Sequence, residues 1–154
     1  MSCKKIGLLG GRGYVGQEII SLLNNNNNLN IGSVYSSSKA GQPVNMDTSG
    51  KMNYRDLAPD KIDLGDEEAF ILALPNMKSQ QYVDLITNHN EEAIIIDLSS
   101  DHRFDKNWEY RIPELSDPVS SKKISNPGCY ASAMQFMIAP ILNILDGPVN
   151  LFGI

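Results

Sequence analysis

Cysteine is scarce: the 154 residues hold two, Cys3 and Cys129. Two thiols cannot build a disulfide framework, and neither stands in a C-x-x-C or Cys/His spacing that would grip zinc. Both are expected as reduced thiols, with no metal site. Positive charge is also in short supply. Thirteen Lys and Arg face 18 Asp and Glu, for a net charge of −5, and no basic run is longer than KK. A nucleic-acid binder needs a basic footprint to neutralise phosphates, so that class is excluded. Long apolar runs are missing too. AFILAL and AIIIDL fall far short of the roughly 20 residues that span a bilayer, so no membrane helix is expected. The opening MSCKKIGLLGG has neither the apolar core of a signal peptide nor an Arg-rich presequence. It implies a cytoplasmic chain, or a targeting segment lying outside these residues.

What is present is ordinary globular material, 42% apolar and 20% charged, in a length suited to one domain or part of a larger one. KKIGLL reads as a buried strand and YVGQEIISLL as a helix with apolar residues at Val15, Ile19, Leu22 and Leu23. The run Asn24 to Asn28 ends that helix. LNIGSVYSS, AFILAL and AIIIDL give three more strands. SQQYVDLITNH, between the last two, has helical spacing at Tyr82, Leu85 and Ile86. Strands alternating with helices indicate a doubly wound α/β fold, a mostly parallel sheet with helices on both faces. Ser36 to Asp66 is irregular, with one short strand near KMNYRDL, and is expected over a sheet edge. YASAMQFMIAPILNIL reads as a helix that Pro140 kinks or divides. VNLFGI reads as the start of a further strand that stops at Ile154, which suggests a truncated chain.

GGRGYVG, Gly10 to Gly16, follows the first strand and opens the first helix. Glycines there permit a tight turn, close approach of the backbone to a pyrophosphate, and close helix packing, while the helix N-terminus supplies N–H groups and positive potential. The register can be Gly11, Gly13 and Gly16, or Gly10, Gly13 and Gly16. An isolated glycine pattern is as often a plain turn, but its strand-to-helix context points to a dinucleotide. At the end of the second strand, where an NAD enzyme places a carboxylate for the ribose 2′-hydroxyl, this chain has VYSSSKAGQ. Ser36, Ser37, Ser38 and Lys39 suit a 2′-phosphate, which favours NADP(H), although an ordinary surface loop has the same composition.

Cys129 lies in SNPGCYASAMQF, where an NPG turn meets a helix. The positive end of a helix dipole favours thiolate over thiol, and hence a nucleophile. The competing reading is a buried structural cysteine. A thiolate near a nicotinamide suggests attack on an activated acyl group, followed by hydride reduction of the thioester to an aldehyde. DLSSDHRF follows the fourth strand at its C-terminal end. There Arg103 can grip a phosphate or carboxylate and Ser99 or Ser100 can add a hydroxyl, or Arg103 can simply pair with an Asp at the surface. His89 reads as a solvated helix end. His102 sits beside Arg103, whose charge disfavours its protonated form, so neither histidine is favoured as the base.

IGLLGGRGYVGQEIISLL, ALPN, DLSSDHRF, PEL at Pro113 to Leu115, and NPGCYASA together resemble the N-terminal half of the N-acetyl-γ-glutamyl-phosphate reductase family, from Lys4 to Ile154. The resemblance implies a Rossmann-like domain over residues 1–154 that ends with the helix of the catalytic cysteine. It makes Cys129 the nucleophile and Gly10, Gly13 and Gly16, with Tyr14 and Val15, the NADP turn. Ser36, Ser38, Lys39 and Pro75 line the cofactor, and Ser99, Arg103 and Asn126 serve the substrate and its phosphate. Family enzymes are about twice as long and act as homo-oligomers. Their second half carries the catalytic histidine, most of the substrate pocket and the subunit interface, so this chain alone is expected to be inactive. GGRGYVGQE with ISNPGCYAS is closer to the fungal type, which makes the mitochondrial matrix an alternative to the cytoplasm. Aspartate-semialdehyde dehydrogenase shares the chemistry, but its cysteine follows Asn and precedes Thr, where this chain has Gly128 and Tyr130. A nucleotide-binding module without chemistry is the reading from outside the enzyme class.

Overall fold

The computed structural model describes residues 3–118 and 120–153. Strand β1 (Lys4–Leu9) leads through the glycine turn into helix α1 (Tyr14–Asn24), and β2 (Leu29–Ser36) returns alongside β1. The irregular stretch adds a two-residue edge strand, β3 (Arg55–Asp56), paired to β2. Then β4 (Ala69–Leu72), α2 (Gln80–His89) and β5 (Ile94–Asp97) build outward from the other side of β1. Two short strands close that edge, β6 (Glu109–Tyr110) and β7 (Lys123–Ser125). The order is β3-β2-β1-β4-β5-β7-β6 and every strand pairing is parallel.

Alternation along each strand sends neighbouring residues to opposite faces. Leu8 and Val34 pack with Ile20 of α1, while Leu9, Tyr35, Phe70, Leu72 and Ile95 pack with Tyr82, Val83 and Ile86 of α2. Each fully buried Leu, Ile, Val or Phe contributes roughly 1.5–3 kcal/mol relative to exposure. Both faces are therefore covered, as a Rossmann-like parallel sheet requires. Chain direction across the sheet reverses between β1 and β4, which opens a crevice at the strand C-termini on either side of β1.

Three details differ from the sequence expectations, and the division at Pro140 is one of the two outcomes expected there. The inward stripe of α1 is Gly16 and Ile20, whereas Val15 and Leu22 are exposed, because Gly16 has to meet the glycine turn. Strand β7 carries no apolar run and exists through its pairing with β5. The helix around Pro140 is divided: α3 (Cys129–Ile138) passes into a 3-10 helix, Ala139–Ile144, with the proline in its first turn. Residues 149–153 form no strand; Ile154 lies outside the described residues.

Candidate dinucleotide and thiol site

At the end of β1 the chain turns at Gly10, whose φ of +86° is left-handed and whose added Cβ would stand 2.1 Å from the Ala73 carbonyl oxygen. A Cβ on Gly11 would meet Val34 Cγ1 at 2.1 Å, and one on Gly16 would meet the Gly10 carbonyl oxygen at 2.6 Å. These three glycines are demanded by packing. Gly13 is different. A Cβ there would find only the Gly10 carbonyl oxygen, at 3.5 Å, so no protein atom explains its missing side chain. It is the N-cap of α1, and the N–H groups of Tyr14, Val15 and Gly16 open that helix.

A cavity of about 480 Å³ spreads over this turn, lined by Gly10, Arg12, Gly13, Tyr14, Val15, Gly16, Ser36, Ser37, Leu57, Ala73, Leu74, Pro75 and Leu98. It sits at the crevice where strand order reverses, the usual place of a ligand in an open α/β sheet. The bare backbone at Gly13, next to free helix N–H groups, is the cradle that a pyrophosphate needs. Gly10, Gly13, Tyr14, Val15, Gly16, Ser36 and Pro75 all line the cavity; Ser38 and Lys39 do not. Ser36 is buried and its hydroxyl accepts from the Ser38 N–H. The cavity adds Arg12, which the glycine pattern alone did not single out. A second cavity, of about 530 Å³, lies at the opposite end of the sheet beside Lys5, Asn30 and Glu67 and holds none of the expected site residues.

Along the same edge, Cys129 is the first residue of α3, exposed, with Gly128 as N-cap. The turn before it is tied to the sheet by the Asn126 N–H, which donates to the Asp97 carbonyl at 2.8 Å. The Asn126 side chain donates to the Pro127 carbonyl. Arg103 is half-buried; its guanidinium lies against Gly128, 3.0 Å from where a Cβ would be, and donates to the Leu98 carbonyl at 3.3 Å. It forms no ion pair among the described residues. Cys129 and Arg103 are thus neighbours through Gly128, on separate loops at one sheet edge.

Ser99 is placed differently. It is buried, and its hydroxyl donates to Asp97 at 2.8 Å and accepts from the Asp101 N–H. Asp101 receives the N–H groups of Met77 and Ser79 and lies 2.7 Å from the Ser79 hydroxyl. Partial burial works to raise its carboxyl, but those hydrogen bonds and that of Ser99 outweigh it and hold the group down at about 2. His102 is buried on Asp97 and not out beside Arg103 as its sequence position suggested. His89 is exposed and bonded to the Gly65 carbonyl.

A family model described as semialdehyde dehydrogenase, NAD binding domain, matches residues 5–123. A protein of Schizosaccharomyces pombe whose name marks it as mitochondrial is 40% identical over 157 residues, covering 97% of this chain and 18% of its own length. The N-acetyl-γ-glutamyl-phosphate reductase of Xanthomonas axonopodis pv. citri is 41% identical over 156 residues, covering 98% of this chain and 49% of the relative. The chain spans about half the length of such bacterial relatives. Solved structures agree on the fold. Aspartate semialdehyde dehydrogenase II of Vibrio cholerae superposes with a TM-score of 0.76 at 17% identity, over 92% of this chain and 47% of that one. The Candida albicans aspartate semialdehyde dehydrogenase with NADP gives 0.60 at 20% identity, over 73% and 34%. With a glycine turn at the reversal point of a parallel sheet, and a family model running from β1 to β7, this chain belongs to the semialdehyde dehydrogenase NAD-binding domain family.

Proposed function

We propose that this chain is the coenzyme-binding half of an NADPH-dependent reductase that converts N-acetyl-L-glutamyl 5-phosphate to N-acetyl-L-glutamate 5-semialdehyde and phosphate. The observation that carries the reading is the exposed Cys129 at the first position of α3, beside the Arg103 guanidinium, on the same sheet edge as the glycine turn. The names of the bacterial relatives supply the acyl group.

In this reading the Cys129 sulfur attacks the acyl carbon. A C–S bond forms, the C–O bond to phosphorus breaks, and phosphate leaves with the electron pair. Arg103 offers its charge to that phosphate, and the free N–H groups at the start of α3 face the oxygen that becomes negative. NADPH, when bound, would supply the hydride that reduces the Cys129 thioester, and breaking of the C–S bond would restore the Cys129 thiolate. Gly13, Tyr14, Val15 and Gly16 would hold the pyrophosphate and Arg12 and Ser37, which line the cavity, the 2′-phosphate, with Ser36, Ser38 and Lys39 shaping the loop behind them and Pro75 bordering the same cavity. Ser99 and Asn126 shape the substrate side through their loops.

The proton donor, the rest of the substrate pocket and the contacts of a homo-oligomer belong to the second half of such an enzyme. The isolated chain therefore binds coenzyme and carries a reactive thiol but does not turn over. Its compartment is the cytoplasm, with the mitochondrial matrix the alternative favoured by the name of the fission-yeast relative.

The test is coenzyme titration with cysteine mapping. NADPH binds the chain more tightly than NADH, and iodoacetamide modifies Cys129 faster in the folded chain than in the same chain in denaturant, with Cys3 as the internal control. Absence of coenzyme binding, or a Cys129 slowed by folding, would sink the proposal.

A further inference from the structure

The cluster around Asp97 and His102 has no place in the chemistry above. Asp97 is fully buried and His102 is 3% exposed. His102 Nδ1 lies 2.7 Å from Asp97 Oδ2, and Nε2 lies 2.9 Å from Gln80 Oε1. The orientation of the Gln80 amide is set by its other end, which donates to Asp84 at 2.8 Å. The ring stacks on Trp108 with centroids 4.0 Å apart and planes 16° apart. Each ring nitrogen faces an acceptor oxygen, so neither is left to take a proton from a reacting group. Ser79, 3.1 Å from Asp97, completes the residue set of a hydrolytic triad without its function, because its hydroxyl points at the carboxylates of Asp97 and Asp101 in a sealed interior.

We infer that His102 is a positioning residue, which fixes the loop after β5 so that the guanidinium of Arg103 lies beside the Cys129 turn. This rests on the reading of Cys129 as a nucleophile that works next to an anion. The Arg103 side chain is poorly held by its own contacts. Among the described residues its side chain makes one hydrogen bond, of 3.3 Å to the Leu98 carbonyl, and its buried Nε has no partner. A long side chain with one weak contact samples many rotamers unless the backbone it leaves from is fixed. That backbone is fixed next door: the His102 ring is wedged between Asp97, Gln80 and Trp108, and its carbonyl accepts from the Asp105 N–H. Asp97 makes the device two-sided. Its carboxylate holds His102 and Ser99 while its main-chain carbonyl holds Asn126, so both the arginine loop and the cysteine turn are referred to one buried residue.

The experiment compares a neutral with an anionic thiol reagent in the chain carrying Cys3→Ser. The ratio of iodoacetate to iodoacetamide rates at Cys129 reports positive charge near the sulfur and is insensitive to general loss of stability. A unit charge a few ångströms away in water raises that ratio about fivefold over the denatured chain. Arg103→Gln removes the increase. His102→Phe keeps an aromatic ring against Trp108 but loses both hydrogen bonds, and is expected to remove at least half of it while the iodoacetamide rate stays within about twofold. If Arg103→Gln lowers the ratio and a folded His102→Phe does not, the inference about His102 is overturned alone. If Arg103→Gln has no effect, the anion-site reading of Cys129 falls and this inference with it. Should His102→Phe fail to fold by circular dichroism, Gln80→Ala, at an exposed position, decides: a ratio equal to that of the parent chain overturns the inference.

Discussion

The main-chain N–H of Asn126 donates to the carbonyl of Asp97 at 2.8 Å, joining the end of β5 to the turn that presents Cys129. The same Asp97 accepts at its carboxylate from the Ser99 N–H, the Ser99 hydroxyl and His102. Asp97→Asn would face those donors with an amide that has a single acceptor and two donors of its own. Leaving a buried donor without its acceptor costs about 1–3 kcal/mol. The expected outcome is a large drop in the urea midpoint of the chain, with an unchanged slope. A midpoint within error of the wild type would show that Asp97 is not the anchor of this edge.

Much of the sheet was legible in the sequence, since buried parallel strands are short apolar runs and β1, β2, β4 and β5 are such runs. The glycine turn and α2 were legible for the same reason: pattern and local chemistry agree there. Strand β7, KIS between polar residues, was not, because its ladders with β5 and β6 are what make it a strand. The site was legible in part. Cys129 at a helix start follows from its NPG turn, whereas Arg12 in the cavity and the inward turn of His102 depend on tertiary contacts that no local pattern encodes. His102 shows the limit most clearly. Its neighbour in sequence is a cation, but its neighbour in space is a carboxylate.

The glycine turn separates stability from binding. Gly10→Ala places a Cβ 2.1 Å from the Ala73 carbonyl oxygen at a φ of +86°, and strain plus overpacking should cost about 2–5 kcal/mol. Gly13→Ala meets nothing closer than 3.5 Å at a φ of −66°, so its effect on stability stays under about 1 kcal/mol. It instead fills the space a pyrophosphate would take, and NADPH affinity falls about tenfold or more. Denaturation and calorimetric titration of the two variants check this. A Gly13→Ala chain that binds NADPH as the wild type does would remove the pyrophosphate from that position.

Coenzyme choice is expected to turn on the end of β2. Ser37 is exposed and lines the cavity, whose lining among the described residues holds no carboxylate. Ser37→Asp would repel a 2′-phosphate and offer an acceptor to a 2′-hydroxyl. NADPH affinity should fall about tenfold, with NADH affinity equal or higher. Parallel fluorescence titrations with the two coenzymes decide, and an unchanged preference would place the adenosine ribose elsewhere.

Acid stability should carry the signature of Asp101. Partial burial works to raise its carboxyl, but hydrogen bonds from Met77, Ser79 and Ser99 outweigh it and hold the group at about 2 in the folded chain, below the usual carboxylate range. A depressed folded value means that the unfolded chain binds the proton more tightly, so stability rises with pH across the interval. The contribution is complete above the unfolded value near 4, shrinks as pH falls, and is gone below the folded value near 2. Its full size is at most about 2 kcal/mol, reduced by the solvent that reaches this part-exposed group. Asp101→Asn loses stability at neutral pH and loses less between pH 4 and pH 2 than the wild type does. Because Asp101 ties Met77 and the start of α2 to the loop after β5, the variant should also loosen Pro75 over the coenzyme cavity. Urea midpoints of the two chains measured from pH 7 to pH 2 test the point: parallel curves would mean that the carboxylate is not held by these donors in solution.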